Sequence, residues 1–193
     1  MFNVMLDKLP EEYKGYKINN DFRIGIQMFQ TLNDMELSEM ERIYKACELL
    51  FDVEGADQFP DMETMQGGIQ WFLSGWYTDN PVNDVKKDRK DMDYDIDQWR
   101  IFSAFLKQFG INLNETDMHF WVFMGLLSTL DECAFTRVVD IRTKKIDPKM
   151  KPSDKAELRK VKKQYALEQE EEEMTPQEKA AYDTFMKYAK KKK

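Results

Sequence analysis

The chain has 193 residues, of which 42% are hydrophobic and 13% aromatic, so the composition excludes global disorder and allows a real core. Its formal net charge of −7 argues against a general nucleic-acid binder, because neutralising phosphates requires a clustered basic face. We expect an all-α protein with a compact bundle of about six helices in residues 1–150. A charged helical tail over residues 151–193 would follow this core domain.

The first two helices are predicted from their capping residues. Residues 1–20 lack a helical period and read as an arm with turns. Asn20 or Asp21 is suited to cap the first helix, because a short polar side chain can accept a bond from the first free backbone N–H groups. Ser38 opens the second helix through a capping box, with Glu41 three residues later.

The third helix is predicted to begin at Pro60-Asp61. Its Gly67-Gly68 pair favours close helix packing or a kink over a phosphate-binding loop, since no strand precedes the pair and no Lys-Ser/Thr follows it. Residues 77–90 are polar and contain a proline, and they read as a linker.

The centre of the chain is residues 91–130, which predict a helical hairpin. Asp93 or Asp95 caps the fourth helix, and Gly110 suits the position just after its end. Its predicted buried face consists of Ile96, Trp99, Phe102, Phe105, Leu106 and Phe109.

The fifth and sixth helices follow directly. Asn114 or Thr116 is expected to cap the fifth, whose sequence is apolar on every side and therefore indicates burial in a core or an interface. The longest uncharged apolar run, residues 118–130, would rise about 20 Å as a helix, too short to cross a bilayer. The sixth helix is predicted over residues 131–144.

The tail differs from the rest in composition. It has a thin apolar stripe, then a glutamate run at residues 170–173, and then a capping signal at Thr175 before a last helix that ends in four lysines. Such a segment orders on a partner or projects into solvent. Because the glutamates would oppose anionic lipid, it does not indicate membrane binding.

Metal sites and catalytic groups are not indicated. The acids before the fourth helix alternate like those of an EF-hand, at Asp91, Asp93, Asp95 and Asp97. Counted from Asp91, however, the required glycine and final acid are replaced by Ile96 and Phe102. We expect these carboxylates to favour the positive end of the helix and to keep the loop in water.

The remaining reactive residues fit structural roles. Cys47 and Cys133 lie in apolar helical patterns, which favours small buried hydrophobic residues over a disulfide or metal ligands. His119, the sole histidine, has no nearby nucleophile or orienting acid at a catalytic spacing. We expect no cofactor, no metal and no enzymatic activity. The N-terminal sequence lacks the apolar core of a signal peptide, which predicts an intracellular protein.

The order of several aromatic and aliphatic pieces resembles a family of small tail-module proteins of phages and prophages of Gram-positive bacteria. The pieces span about residues 13–145 and leave the tail outside the resemblance. They are YKINNDFR at 16–23, IQWF at 69–72, YDID at 94–97, IFSAFLKQFGINLN at 101–114, residues 118–130, and VDIR at 139–142.

This resemblance implies a tail assembly chaperone that acts in the bacterial cytoplasm and is absent from the finished virion. Its implied partners are the tape measure protein and the major tail tube protein, with self-association also possible. The alternative is a structural tail or connector component that stays in the virion. An aromatic, Met-rich helical protein can hold amphipathic helices in apolar grooves. The candidate partner-binding residues are Trp71, Trp76, Trp99, Phe105 and Trp121.

Overall fold

The computed structural model describes residues 2–51, 59–75 and 91–167. Within these ranges it is mostly helical, which confirms the predicted all-α class, with one small hairpin added. The hairpin consists of β1 (Glu12–Tyr13) and β2 (Tyr16–Lys17). The helices are α1 (Phe22–Asn33), α2 (Glu39–Leu50), α3 (Met62–Ser74), α4 (Gln98–Phe109), α5 (Phe120–Ser128), α6 (Ala134–Thr143) and α7 (Pro152–Gln164).

The chain divides into two compact units, Met1–Asp140 and Ile141–Lys193. The first holds the hairpin, α1 to α5 and most of α6, and the second holds α7. The predicted boundary at residue 150 stays a prediction. The predicted linker at 77–90 and the last helix from Thr175 lie outside the described residues.

Three predicted helix starts are confirmed by their hydrogen bonds. The Asp21 carboxylate accepts from the Arg23 N–H at 2.8 Å, and Asp61 accepts from Thr64 N–H at 2.9 Å. Ser38 and Glu41 form the full capping box, in which the Glu41 carboxylate accepts from the Ser38 N–H at 2.8 Å. These bonds to Ser38 lower the pKa of Glu41, because they favour the charged carboxylate.

Two predicted starts in the central hairpin are wrong. Helix α4 begins after Asp97, because Asp93 instead accepts from the N–H groups of Asp95 and Ile96 and holds a separate turn. Helix α5 begins after His119, several residues later than Asn114 or Thr116 would place it. The intervening residues form a turn in which the Thr116 N–H bonds the Asn112 carbonyl at 3.0 Å.

The N-terminal arm is more regular than its sequence suggested. Lys14 and Gly15 both have positive φ, 48° and 85°, which suits the tight turn between β1 and β2. After the hairpin the Asn19 N–H donates to the Leu50 carbonyl at 2.7 Å. This bond ties the arm to the C-terminal end of α2.

The core of the first unit is a set of packed aromatic rings. Phe123 of α5 stacks between Phe22 of α1 and Phe105 of α4, with centroids 4.9 and 5.1 Å away. Phe120 stacks on Phe72 of α3 at 5.1 Å. Helix α5, predicted to be buried on all sides, therefore joins α1, α3 and α4.

Close packing at Gly67-Gly68 confirms the structural interpretation of that pair. A Cβ on Gly68 would lie 2.5 Å from the Phe51 ring, and one on Gly67 would lie 2.8 Å from the Tyr13 hydroxyl. Cys47 is fully buried, as predicted, and burial raises the pKa of its thiol to about 12. Cys133 is only half-buried. Among the described helices, we find none with the length and apolar character needed to cross a membrane.

Gly25 and Gly125 provide a matched test of this packing. A Cβ on Gly25 would collide with the Phe120 ring, whereas one on Gly125 would meet no atom within 4 Å. We predict that Gly25→Ala lowers the free energy of unfolding by about 1–3 kcal/mol through overpacking. Gly125→Ala should raise it by about 0.5–1 kcal/mol, because alanine loses less backbone entropy in a helix. Urea denaturation measures both changes, and equal effects would contradict the packing described.

Candidate binding groove between α1 and α4

A groove of about 360 Å³ runs between α1 and α4. Its walls are α1, α4 and the turn before α4, and Phe123 of α5 forms its floor. The lining residues are Phe22, Arg23, Ile26, Gln30, Tyr94, Asp95, Gln98, Trp99, Ile101, Phe102, Leu113, Asn114 and Phe123. We call this the α1–α4 groove.

Hydrogen bonds fix the groove at two places along α1. The Gln30 amide donates to the Asp95 carboxylate at 2.8 Å and so joins α1 to the turn before α4. Seven residues earlier, or about 10 Å along the helix, the Arg23 guanidinium donates to the Leu113 carbonyl at 2.8 Å. Arg23 also pairs with Asp21 at 3.0 Å. The groove walls are therefore held together by polar contacts while its interior is largely apolar.

One side of α4 is apolar and exposed. Ile96 is 50% exposed, Trp99 71% and Leu106 46%, whereas Ile101 and Phe105 on the opposite side are buried. The predicted burial of the first three residues is therefore wrong. The apolar positions of this segment cover more than half of the helix circumference, so one side stays outside when the other packs on α5. We call Trp99 and Leu106 of α4, together with Ile96 in the turn before it, the α4 outer face.

The expectation that the acids before α4 all stay in water is wrong for Asp97. Asp97 is completely buried, and its carboxylate accepts from the Arg100 guanidinium at 2.7 Å and from the Asp93 N–H at 3.2 Å. The Arg100 side chain is 32% exposed, so the pair lies at the surface end of a buried carboxylate. Asp97 and Arg100 thus fix the start of α4. Among the described residues, no group of three or more His, Cys, Asp or Glu could hold a metal ion.

His119 has a structural position at the start of α5. Its Nδ1 accepts from the Trp121 N–H at 3.0 Å, and its Nε2 lies 3.2 Å from the Pro10 carbonyl. The first bond requires an unprotonated Nδ1, and the second fits a proton on Nε2, so the neutral ring satisfies both. Burial lowers the pKa of His119, against the smaller raising effect of the Pro10 carbonyl.

The predicted partner-binding residues fall into different environments. Trp71 and Trp121 meet edge to face at 5.1 Å, and the Trp121 indole donates to the Phe72 carbonyl at 2.7 Å. Phe105 is fully buried and Trp121 nearly so. Trp76 lies outside the described residues. Of the four candidates that the structure describes, only Trp99 combines a position in the groove wall with large exposure.

Two residues of this surface were not singled out from the sequence. Ile96 and Leu106 flank Trp99 on the α4 outer face but were assigned to the core. The signal that distinguishes them is the position of the buried stripe formed by Ile101, Ala104 and Phe105. On a helix, residues 99 and 106 lie about two turns apart on the other side.

The fold and the groove define a mostly helical protein with an exposed apolar surface. The chain belongs to the Bacteriophage Gp15 protein family, whose profile matches residues 5–167. This membership confirms the phage part of the resemblance. The match also extends beyond the resembling pieces and includes α7, which the resemblance had left out. No curated protein and no solved structure matches the chain significantly.

The capping role of His119 predicts a specific pH dependence. Above the ordinary histidine pKa of 6.5, the ring of His119 is neutral in both the folded and the unfolded chain. The free energy of unfolding then does not depend on the protonation of this ring. Below pH 6.5 the imidazole of the unfolded chain binds a proton, whereas the folded protein keeps a neutral ring until the pH reaches its lower pKa. The free energy of unfolding therefore decreases as the pH decreases. Urea denaturation between about pH 5.5 and 8 measures this slope, above the range in which most carboxylates titrate.

His119→Asn is the control for this slope. Asparagine keeps a side-chain oxygen suited to capping but does not titrate. Since His119 is the sole histidine, the variant should lose the slope below 6.5. An unchanged slope in the variant would show that another group causes it.

Proposed function

We propose that this protein is a phage tail assembly chaperone, and that its α1–α4 groove and α4 outer face hold a helix of the tape measure protein. The observation that carries the proposal is the exposed apolar surface around Trp99, which borders a groove with an apolar floor. Membership of a bacteriophage family supports the phage setting. The tape measure protein and the tail tube protein enter through the resemblance described above.

The spacing of the α4 outer face suits a helical partner. Trp99 and Leu106 are seven residues apart, which places them on one side of α4, and Ile96 lies in the turn just before the helix. A partner helix with apolar side chains at three-, four- and seven-residue spacing can lie along such a stripe. Tryptophan is enriched among residues that dominate binding energies, because it buries a large rigid surface. We therefore assign the largest contribution to Trp99.

The chaperone would act before the tail is complete. It would keep the tape measure protein soluble in the host cytoplasm, recruit tube subunits and be absent from the virion. No enzymatic step is needed for this role. The second candidate is a structural tail component that uses the same surface. Mass spectrometry of purified particles distinguishes the two, because a component is present at a fixed copy number and a chaperone is missing.

Co-expression with the tape measure protein of the same phage tests the proposed partner. The wild-type protein should raise the soluble yield of the tape measure protein and co-purify with it. Trp99→Ala should weaken the complex about 30-fold or more, since truncating a dominant interface residue costs about 2 kcal/mol or more. The amount of tape measure protein that co-purifies with each variant at equal expression measures this loss.

Met5→Ala is the matched control, because Met5 is apolar and 86% exposed but lies outside the α1–α4 groove. It should bind like the wild type. A tape measure protein that stays insoluble and unbound would overturn the proposed partner. A complex weakened equally by both substitutions would overturn the proposed surface.

A further inference from the structure

Exposed carboxylates lie at both places where hydrogen bonds fix the α1–α4 groove. At the first, Asp95 lines the groove and is itself exposed. At the second, the carboxylate of Asp117 is fully exposed and lies 3.6 Å from the guanidinium of Arg23, which lines the groove. Glu115 is exposed as well and directly follows a lining residue in the chain. We call Asp95, Glu115 and Asp117 the acidic rim.

The positive charge inside the groove is already matched by carboxylates. Among the lining residues that the structure describes, Arg23 is the only lysine or arginine. Its guanidinium pairs with Asp21 at 3.0 Å and lies near Asp117. It also donates to the carbonyls of Leu113 and Thr116 at 2.8 and 3.2 Å. Arg23 therefore leaves the negative charge of the rim in excess.

The bases of α4 lie on the side of the helix away from the groove. At 100° per residue, Arg100 and Lys107 fall about 100° and 80° from Trp99 in one direction around the helix. Gln98, which lines the groove, falls about 100° from Trp99 in the other direction. The side of α4 that borders the groove therefore carries no base to offset the acidic rim.

We propose that the helix held by the α1–α4 groove and the α4 outer face is a basic amphipathic helix. Its apolar stripe would cover Trp99, which is 71% exposed, and lysine or arginine beside the stripe would meet the acidic rim. Bases and carboxylates form charge-assisted hydrogen bonds, and arginine can do so with two bonds at once. This inference rests on the proposed function, because it assigns the chemistry of the helix that the same surface holds.

Charge complementarity favours this occupant over the other candidates. The acidic rim repels the phosphates of a nucleic acid and the headgroups of an anionic membrane. Two copies of this chain that met groove to groove around a two-fold axis would bring acidic rim against acidic rim. Like charges placed together at an interface suppress association, whereas complementary charges favour it.

Two synthetic helical peptides of about 20 residues, roughly 30 Å long, test the charge preference. Both carry the same leucine stripe at three- and four-residue spacing, and the flanking positions are lysine in one and glutamate in the other. Lysine and glutamate have similar helix propensities, so charge is the difference that matters. Fluorescence anisotropy of the labelled peptides with the full chain measures both affinities.

The basic peptide should bind at least about tenfold tighter than the acidic peptide near 0.1 M NaCl. The ratio should fall towards one near 1 M, because the screening length falls from about 10 Å to about 3 Å. Trp99→Ala should weaken the basic peptide at both salt concentrations, since the leucine stripe packs on the indole.

A rim variant and a matched control separate the acidic rim from the overall negative charge of the chain. The rim variant carries Asp95→Asn, Glu115→Gln and Asp117→Asn, and it should lose most of the preference for the basic peptide. The control carries Glu11→Gln, Glu12→Gln and Glu48→Gln, which remove three exposed acids outside the groove lining. It should keep the preference. Circular dichroism checks that both variants retain the wild-type helix content.

The preference of the wild-type chain for the basic peptide and its loss in the rim variant alone support the proposal. Equal binding of the two peptides, no binding of either, or an equal loss in rim variant and control overturns it. Sedimentation velocity tests the alternative of a second copy. A wild-type dimer that Trp99→Ala converts to a monomer would assign the surface to that copy and would also overturn the proposal.

The co-expression experiment described above reports separately on the tape measure protein. A tape measure protein that stays unbound while the basic peptide binds would overturn only the proposed partner. A tape measure protein that binds while the peptides show no charge preference would overturn only the basic character assigned to the bound helix.

Discussion

The fold of the first unit depends on a backbone bridge between the starts of α1 and α5. The Phe22 N–H donates to the Met118 carbonyl and the Phe120 N–H donates to the Asn20 carbonyl, both at 2.8 Å. These bonds satisfy N–H groups that a helix start leaves without an intrahelical partner. They also set α5 beside α1, where the absence of a side chain at Gly25 admits the Phe120 ring.

The groove follows from this bridge. With α5 fixed against α1, Phe123 lies between Phe22 and Phe105 and places α4 on its other side. The inner side of α4 is then committed to the core, so Trp99 on the outer side remains exposed. The exposed apolar surface is thus a geometric result of how α5 is packed, and a binding partner would cover it.

The sequence predicted a helix start correctly where the capping bonds join residues that are close together in the chain. Ser38 and Glu41 cap each other within four residues, and Asp61 bonds Thr64 within the same turn. The sequence did not predict a helix start that depends on contacts between residues far apart in the chain. His119 caps α5 while also lying against Pro10, which is 109 positions away, so local spacing could not reveal its role.

The same limit applied to the candidate site. Trp99 could be named from the sequence, but which side of α4 faces the core is decided by its contacts with α5. Ile96 and Leu106 were therefore assigned to the wrong side. The resemblance to phage proteins could be recognised from the sequence, because it depends on the order of short segments along the chain.

Site-specific photocrosslinking tests the central claim most directly, which is that the α1–α4 groove binds a helix of the tape measure protein. A photoreactive amino acid replaces Trp99 in one variant and Met35 in another, since Met35 is also apolar and is 84% exposed. We expect a crosslink to one helical segment of the tape measure protein from position 99 and none from position 35. Crosslinks from position 35 alone would contradict it.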